Sequence, residues 1–268
     1  MTILIVIGIT AVILILLYLL VLIRPSGREV PEPLRTDYAH RGLFGADIPE
    51  NSLAAFKAAV NAGFGIELDI QLSHDGEVMV FHDYSLKRMT GRDAKLSELD
   101  LSELKSLSIG GGESIPTLDE VLLLVDGRVP LLIELKGENT DISLCKLAAE
   151  KLDKYNGSYC VESFNPLLLN SFAKLRPKVT RGLLYTKFKR SMKTKLFDLM
   201  LTAMIFNCIA RPDFIAYDIA NSRTAALRIC TALYHPRRFV WTVRSKSEYE
   251  AVKAVGESPI FEGFVPRK

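Results

Sequence analysis

Between Ala39 and Asp83 the chain gathers three of its four histidines, His40, His74 and His82, and a Glu-x-Asp pair, Glu67 and Asp69. These types suit acid–base and metal chemistry. Side chains two apart on a strand share a face, so IELDIQL aims Glu67, Asp69 and Gln71 to one side. The run ends at SHDGE, and EVMVFHD reads as the returning strand, because Asp-Gly is a strong hairpin signal. With Asp75-Gly76 as a two-residue loop, His74 pairs with Glu77 and His82 falls opposite Asp69. Directly opposed residues of an antiparallel pair share a face. That register brings an imidazole to two carboxylates; a one-residue slip would turn it away. Acids on a strand are ordinarily a solvated face. FGIELDI instead sets them among apolar residues, as a strand buried within a domain does. Carboxylates there require a cation or a dense set of donors.

PLLIELKG repeats the pattern, with Glu134 and Lys136 on one face. Either the two neutralise each other, or Glu134 is a third oxygen ligand for a hard divalent cation and Lys136 meets an anionic substrate. Three carboxylates without a thiolate suit Mg²⁺ or Ca²⁺ better than zinc. Cys145, Cys160, Cys208 and Cys230 are widely spaced, without a zinc pattern, and read as free thiols in a reducing compartment.

The elements that must position these residues alternate. DYAHR, FGIELDI, PLLIELKG, CVESF, VTRGLLY, FIAYDI, RFVWTV and IFEGFV read as eight strands. Helical segments fit between most of them: PENSLAAFKAAVNAG, capped by Asn51 or Ser52, then LSELDLSELKSL and TLDEVLLLV around the loop IGGGESIP, then SLCKLAAEKLDKY and PLLLNSFAKLR. EVMVFHD is an excursion, because parallel neighbours cannot be joined by two residues. This order predicts an α/β fold, a (β/α)₈ TIM barrel. No G-x-G-x-x-G opens the first helix, which argues against a dinucleotide-binding sheet. In such barrels chemistry sits at the C-terminal ends of the strands, where His40-Arg41, Glu67-Asp69 and Glu134-Lys136 all fall.

Thr2–Ile23 is a run of 22 residues without a charge. As a helix it spans about 33 Å, enough for a bilayer core. The run lacks a basic n-region and an Ala-x-Ala site, so it reads as a permanent anchor rather than a signal peptide. Arg24, Arg28 and Arg35 follow it, offset in part by Glu29 and Glu32, and favour a cytoplasmic C-terminal domain on a single-pass membrane protein. The expected organisation is a transmembrane helix over 1–23, a linker over 24–36 rich in proline and charge, and a catalytic barrel over 37–268. A net charge of +3 is too small to argue for nucleic acid by itself, no basic array interleaved with aromatics appears, and no nucleic-acid partner is expected.

AHRG, PENS, ELD, HDGEVMVFHD, IELKG, SF and WTV stand in the order and spacing of the glycerophosphodiester phosphodiesterase family, which the chain resembles from Tyr38 to Phe264. The resemblance implies a TIM barrel that hydrolyses phosphodiesters of glycerol with one divalent cation, Mg²⁺ or Ca²⁺. It implies Glu67, Asp69 and Glu134 as metal ligands, His40 and His82 as general acid and base, and Arg41 and Lys136 as phosphate-holding residues. It also implies attack by the glycerol 2-hydroxyl, with water opening a cyclic phosphate. The chain departs from the family pattern at Glu262, in the last strand, and at Arg244, after WTV, where Asn is common. His74 and His235 are expected at the surface.

Tyr185–Ala210 is the most individual stretch. Lys187, Lys189, Arg190, Lys193 and Lys195 precede the apolar run LFDLMLTAMIFNCIA. A solvated basic face beside a core helix is one reading; a segment touching anionic lipid is the other. Three functions follow: hydrolysis of glycerophosphodiesters to glycerol 3-phosphate and an alcohol, lysophospholipase D-type hydrolysis of membrane lysophospholipids, or binding of phosphate esters without catalysis.

Overall fold

Alternation of apolar and polar residues along the strands builds two shells. In Gly65–Leu72, Ile66, Leu68 and Ile70 are fully buried against Phe56, Ala59 and Val60 of helix Leu53–Ala62, while the alternate residues turn inward. The computed structural model describes residues 2–137, 141–187 and 195–267.

Eight parallel strands close a barrel: β1 (Tyr38–Ala39), β2 (Gly65–Leu72), β3 (Leu131–Leu135), β4 (Tyr159–Ser163), β5 (Arg181–Tyr185), β6 (Phe214–Asp218), β7 (Arg237–Val243) and β8 (Ser258–Phe261). β1 pairs with both β2 and β8, which leaves no open edge in the ring. Val78–Val80 is an antiparallel addition to β2, as the excursion reading requires. The segment LSELDLSELKSL splits into a short 3₁₀ turn, Leu96–Glu98, and a helix, Leu101–Ser106, because Asp100 starts a new capping box with Glu103. IGGGESIP holds a small hairpin, Ser108–Gly110 with Glu113–Ser114.

The barrel interior is layered. Its lower half is apolar: Leu132, Cys160, Phe214, Phe239 and Tyr38 pack together, with the Phe214 and Phe239 rings stacked 4.3 Å apart. Two glycines make room for these rings. A Cβ on Gly182 would lie 2.0 Å from the Phe214 ring, and one on Gly65 would lie 2.8 Å from Tyr38. Above this floor the inward positions of β2, β3 and β4 become acidic.

The expected linker is packed rather than free. Val30 and Leu34 are buried in the same inner cluster, and Arg28 is hydrogen-bonded to the carboxylate of Asp213 and to the carbonyl of Pro177. The proline-rich composition concealed this, because only two apolar residues make the contact.

Thr2–Leu17 is an exposed apolar α-helix that continues as a π-helical turn, Tyr18–Leu22. The combined helix is long and apolar enough to cross a membrane. Its end docks on the barrel: Tyr18 donates to the Ala203 carbonyl (3.1 Å), and Asn207 donates to the carbonyl of fully buried Ile23 (2.7 Å). The four cysteines are free, as expected. Of the five cations in the basic stretch, Lys187 and Lys195 are exposed, whereas Lys189, Arg190 and Lys193 lie outside the described residues.

Overpacking a filled core costs about 1–3 kcal/mol. Gly182→Ala, which sets a methyl against the Phe214 ring, is therefore expected to lower the melting temperature measurably in thermal unfolding. An unchanged melting curve would show that the barrel floor has slack.

Candidate active site

β2 carries Glu67 and Asp69 into the barrel, and β3 carries Glu134 to the same level, since Asp69 pairs in register with Glu134. Oxygens of these three buried carboxylates lie within 4.8 Å of one another. Like charges this close in a low-dielectric interior need compensation. Lys136 provides most of it, donating to Asp69 Oδ1 and Glu134 Oε1 at 3.0 Å each. Burial disfavours ionisation of Asp69, but Lys136, His82, Arg41 and a hydrogen bond from Asn51 outweigh it and hold this carboxyl far below its usual range. Glu67 is pushed well above its range by burial and by Asp69. Glu134 rises to about 7, through burial and the charge of Asp69 against the opposing Lys136.

Arg41 follows β1 in a left-handed conformation (φ 55°), and this turn points its backbone N–H at Glu67 Oε2, 2.9 Å away. Gly42 next to it must be glycine, for a Cβ would come within 2.8 Å of Ala55. The Arg41 guanidinium donates to Glu50 (2.8 Å) and lies 3.6 Å from Asp69. Both Arg41 and Lys136 are thus held by carboxylates at the mouth of the cavity.

Each imidazole has one nitrogen fixed by an acid. His40 Nδ1 meets Glu262 Oε2 at 2.5 Å, while Nε2 faces Glu67 at 3.9 Å. Burial opposes ionisation of Glu262, but His40 and Arg244 bring it down to about 2, so it accepts and Nδ1 donates. Arg244 Nε donates to the other Glu262 oxygen at 2.7 Å. The two departures from the family pattern therefore meet each other, at His40. On the opposite side His82 Nδ1 bonds Asp83 at 2.7 Å, and Asp83 is held by Arg88 at 2.5 Å. Burial lowers the His82 pKa, Asp69 opposes this, and Lys136 and Arg41 add to it.

The hairpin reaches this geometry by a route different from the expected one. Ile70 pairs with Val80 and Leu72 with Val78, so Asp69 stands opposite Phe81, not His82. The Ser73 hydroxyl bonds Asp75 and accepts from the backbone N–H of Glu77, closing a three-residue loop, His74–Gly76, with Gly76 left-handed at φ 86°. The slip does not lose His82, because the strand ends at Val80. Gln71 donates to the carbonyls of Phe81, His82 and Asp83 (2.7, 3.1 and 3.0 Å) and draws the chain across the barrel mouth. His74 is exposed and pairs with Asp100.

Of the two cap candidates, Ser52 caps the first barrel helix by accepting from Ala55, and Asn51 is left to donate to Asp69 at 2.8 Å. Sequence reasoning missed Asn51, Glu50, Gln71 and Glu162 as parts of the site. Asn51 and Glu50 lie within PENS, and Gln71 and Glu162 follow the inward alternation of β2 and β4, so each left a signal. A groove of about 420 Å³ runs from His82, Glu134 and Lys136 to Phe164, Leu167, Phe197 and Leu201.

Residues 40–264 match the model of the glycerophosphoryl diester phosphodiesterase family. A glycerophosphodiester phosphodiesterase of Bacillus altitudinis is 32% identical over 86% of this chain and 95% of its own length. One from Caldanaerobacter subterraneus is 38% identical over 55% of this chain and 65% of its own length. Among solved structures, an Oleispira antarctica phosphodiesterase in complex with the product sn-glycerol-3-phosphate is 25% identical, with a TM-score of 0.69 over 85% of this chain and 92% of that one. A Thermotoga maritima glycerophosphodiester phosphodiesterase is 27% identical, with a TM-score of 0.66 over 85% of this chain and 94% of that one. With the barrel, the acidic cluster and this match over most of its length, the chain belongs to the glycerophosphoryl diester phosphodiesterase family.

Proposed function

We propose that this chain hydrolyses glycerophosphodiesters, adding water across the diester to release glycerol 3-phosphate and an alcohol. The observation that carries the reading is the set of three carboxylates within 4.8 Å, beside two imidazoles whose Nδ1 atoms are each tied to an acid. The donor set is all oxygen and suits one Mg²⁺ or Ca²⁺ on Glu67, Asp69 and Glu134. The fit is supported by buried acceptor oxygens without a hydrogen-bond partner around the cluster, Asn51 Oδ1 and Glu162 Oε2. A cation there would supply Lewis-acid stabilisation of the charge that grows on the phosphate.

In this reading the protein's own residues divide the remaining work. Arg41 and Lys136 hold the phosphate oxygens and oppose their growing charge. His40 and His82, approaching from β1 and from the hairpin, move the protons. As the glycerol 2-hydroxyl attacks, one takes its proton and the other gives one to the leaving alcohol; with their roles exchanged, water then opens the cyclic phosphate to glycerol 3-phosphate. Glu262 fixes the His40 ring so that Nε2 is the working nitrogen, and Asp83 does the same for His82. Gln71 and Asn51 are positioning residues for His82 and Asp69.

Thr2–Leu22 serves as a membrane anchor with the barrel on the cytoplasmic side, supported by a mean hydropathy of 3.2 and the arginines that follow. A second reading, lysophospholipids as substrates, is favoured by one observation. Helix Lys195–Thr202 lines the catalytic groove with Phe197 and Leu201, exposes Leu196 and Leu199, and leads directly to the Ala203 carbonyl that holds Tyr18 of the anchor. Its apolar face would rest on the bilayer and admit an acyl chain to the groove, with Lys187 and Lys195 on anionic lipid.

With glycerophosphoethanolamine and added Mg²⁺ or Ca²⁺, glycerol 3-phosphate is the expected product. His82→Ala should lose about 10²–10⁴-fold in kcat, and a chelator should abolish turnover. No product from wild type with cation bound would overturn the reading.

Glu262→Gln keeps an acceptor but removes the charge that orients His40. The loss is bounded by what one proton transfer contributes, about 10²–10⁴-fold, and is expected in kcat with KM unchanged; a change confined to KM would move Glu262 to substrate binding.

Leu196→Glu with Leu199→Glu should lower activity on lysophosphatidylethanolamine in vesicles and spare the soluble diester. Equal loss on both substrates would remove the lipid-facing role.

A further inference from the structure

Glu162 is the one acid of the inner layer to which neither the sequence reading nor the mechanism above gives a task. It points inward from β4, in register with Glu134, which is itself in register with Asp69. Three adjacent strands thus present a row of carboxylates at one level of the barrel, with Glu67 beside it. Glu162 is 1% exposed, and its Oε2 has no hydrogen-bond partner. On its other flank it pairs with Gly182, which has no side chain to offer, and Phe164 and Leu184 line the same small cavity of about 170 Å³ together with His40, Glu67 and Glu134.

Acids stand on one side and apolar residues on the other. Burial and the charges of Glu67, Glu134 and Asp69 all disfavour its ionised form, and Lys136 offsets them only in part. A buried carboxylate oxygen without a donor is strongly disfavoured, and among the described residues none donates to Glu162 Oε2. Its neighbours identify what does. Mg²⁺ and Ca²⁺ take about six to eight oxygens and keep water in the positions that side chains leave open. Three carboxylates lie close enough together to bind such an ion directly, and Glu162 stands one strand beyond that set.

We propose that Glu162 is the fourth carboxylate of the cation site, accepting hydrogen bonds from water carried by the ion that Glu67, Asp69 and Glu134 hold. The assignment rests on the cation reading above and extends it to a residue on a third strand. Glu162 tightens the ion without touching it, and it adds a negative charge that favours a divalent over a monovalent occupant.

The test is calorimetric titration of the chelator-stripped full chain, in detergent, with MgCl₂ and with CaCl₂. Wild type, Glu162→Gln and Glu162→Leu are compared, with a melting curve of each stripped protein. Outer-shell partners of a metal typically contribute about 10–100-fold in affinity. Glu162→Gln is expected to weaken binding by that factor, and Glu162→Leu, which lacks any acceptor, by at least as much. Both stripped variants should melt no lower than wild type, because an unpaired carboxylate is removed. Unchanged affinity in both variants overturns the assignment, and a raised KM alongside it reassigns Glu162 to a substrate hydroxyl. Stripped variants melting well below wild type overturn it too, by making Glu162 a structural acceptor. Wild type that binds neither ion overturns the cation reading itself, and this assignment with it.

Discussion

Four carboxylates share the upper interior of one small barrel, and their mutual repulsion is the constraint around which the rest is arranged. Lys136 bridges Asp69 and Glu134, Arg41 supplies its backbone N–H to Glu67 and its guanidinium to Asp69 and Glu50, and Asn51 donates to Asp69. The protein alone does not complete the balance: Glu67 and Glu162 are held well above the usual carboxylate range. This uncompensated acid is what the proposed cation would balance.

The barrel makes this possible by separating two jobs along its axis. The lower half is a conventional core of stacked aromatics, with Gly65 and Gly182 leaving room for the rings. The upper half then needs little packing energy of its own and can hold polar groups at fixed spacing. The two imidazoles enter from opposite sides, His40 from β1 and His82 from the excursion, and each is oriented by an acid that is itself held by an arginine. The pattern His–carboxylate–Arg occurs twice, on unrelated stretches of chain. It fixes one nitrogen of each ring within the folded chain, the preorganisation that the proposed proton transfers would need.

The apolar N-terminal helix is joined to the same architecture rather than appended to it. Ile23 is fully buried, Val30 and Leu34 close the inner cluster, and Tyr18 is held at Ala203, directly after the helix that lines the catalytic groove. In the proposed membrane setting, the barrel's orientation is restricted by these contacts and not only by the length of a tether.

By itself, the sequence determined what local periodicity and chemistry can determine. Glu67 and Asp69 share a face because a strand has a period of two, Glu134 and Lys136 share one for the same reason, and eight strands alternating with helices imply closure into a barrel. The family motifs were legible because their residues lie close together in the chain. Tertiary structure decided the relations between distant segments. The hairpin register follows from a three-residue loop closed by the Ser73 hydroxyl and backbone together, and His82 meets the cavity where Gln71 binds the carbonyls beyond Val80. Glu262 and Arg244 looked like two separate departures until the closed ring set them both beside His40. Glu162 gained meaning from register, since neighbours in a parallel sheet are separated by a whole helix in sequence. Which face a residue occupies is a local property of the backbone; which residues it meets there depends on strand register and closure, and no short stretch of sequence contains either.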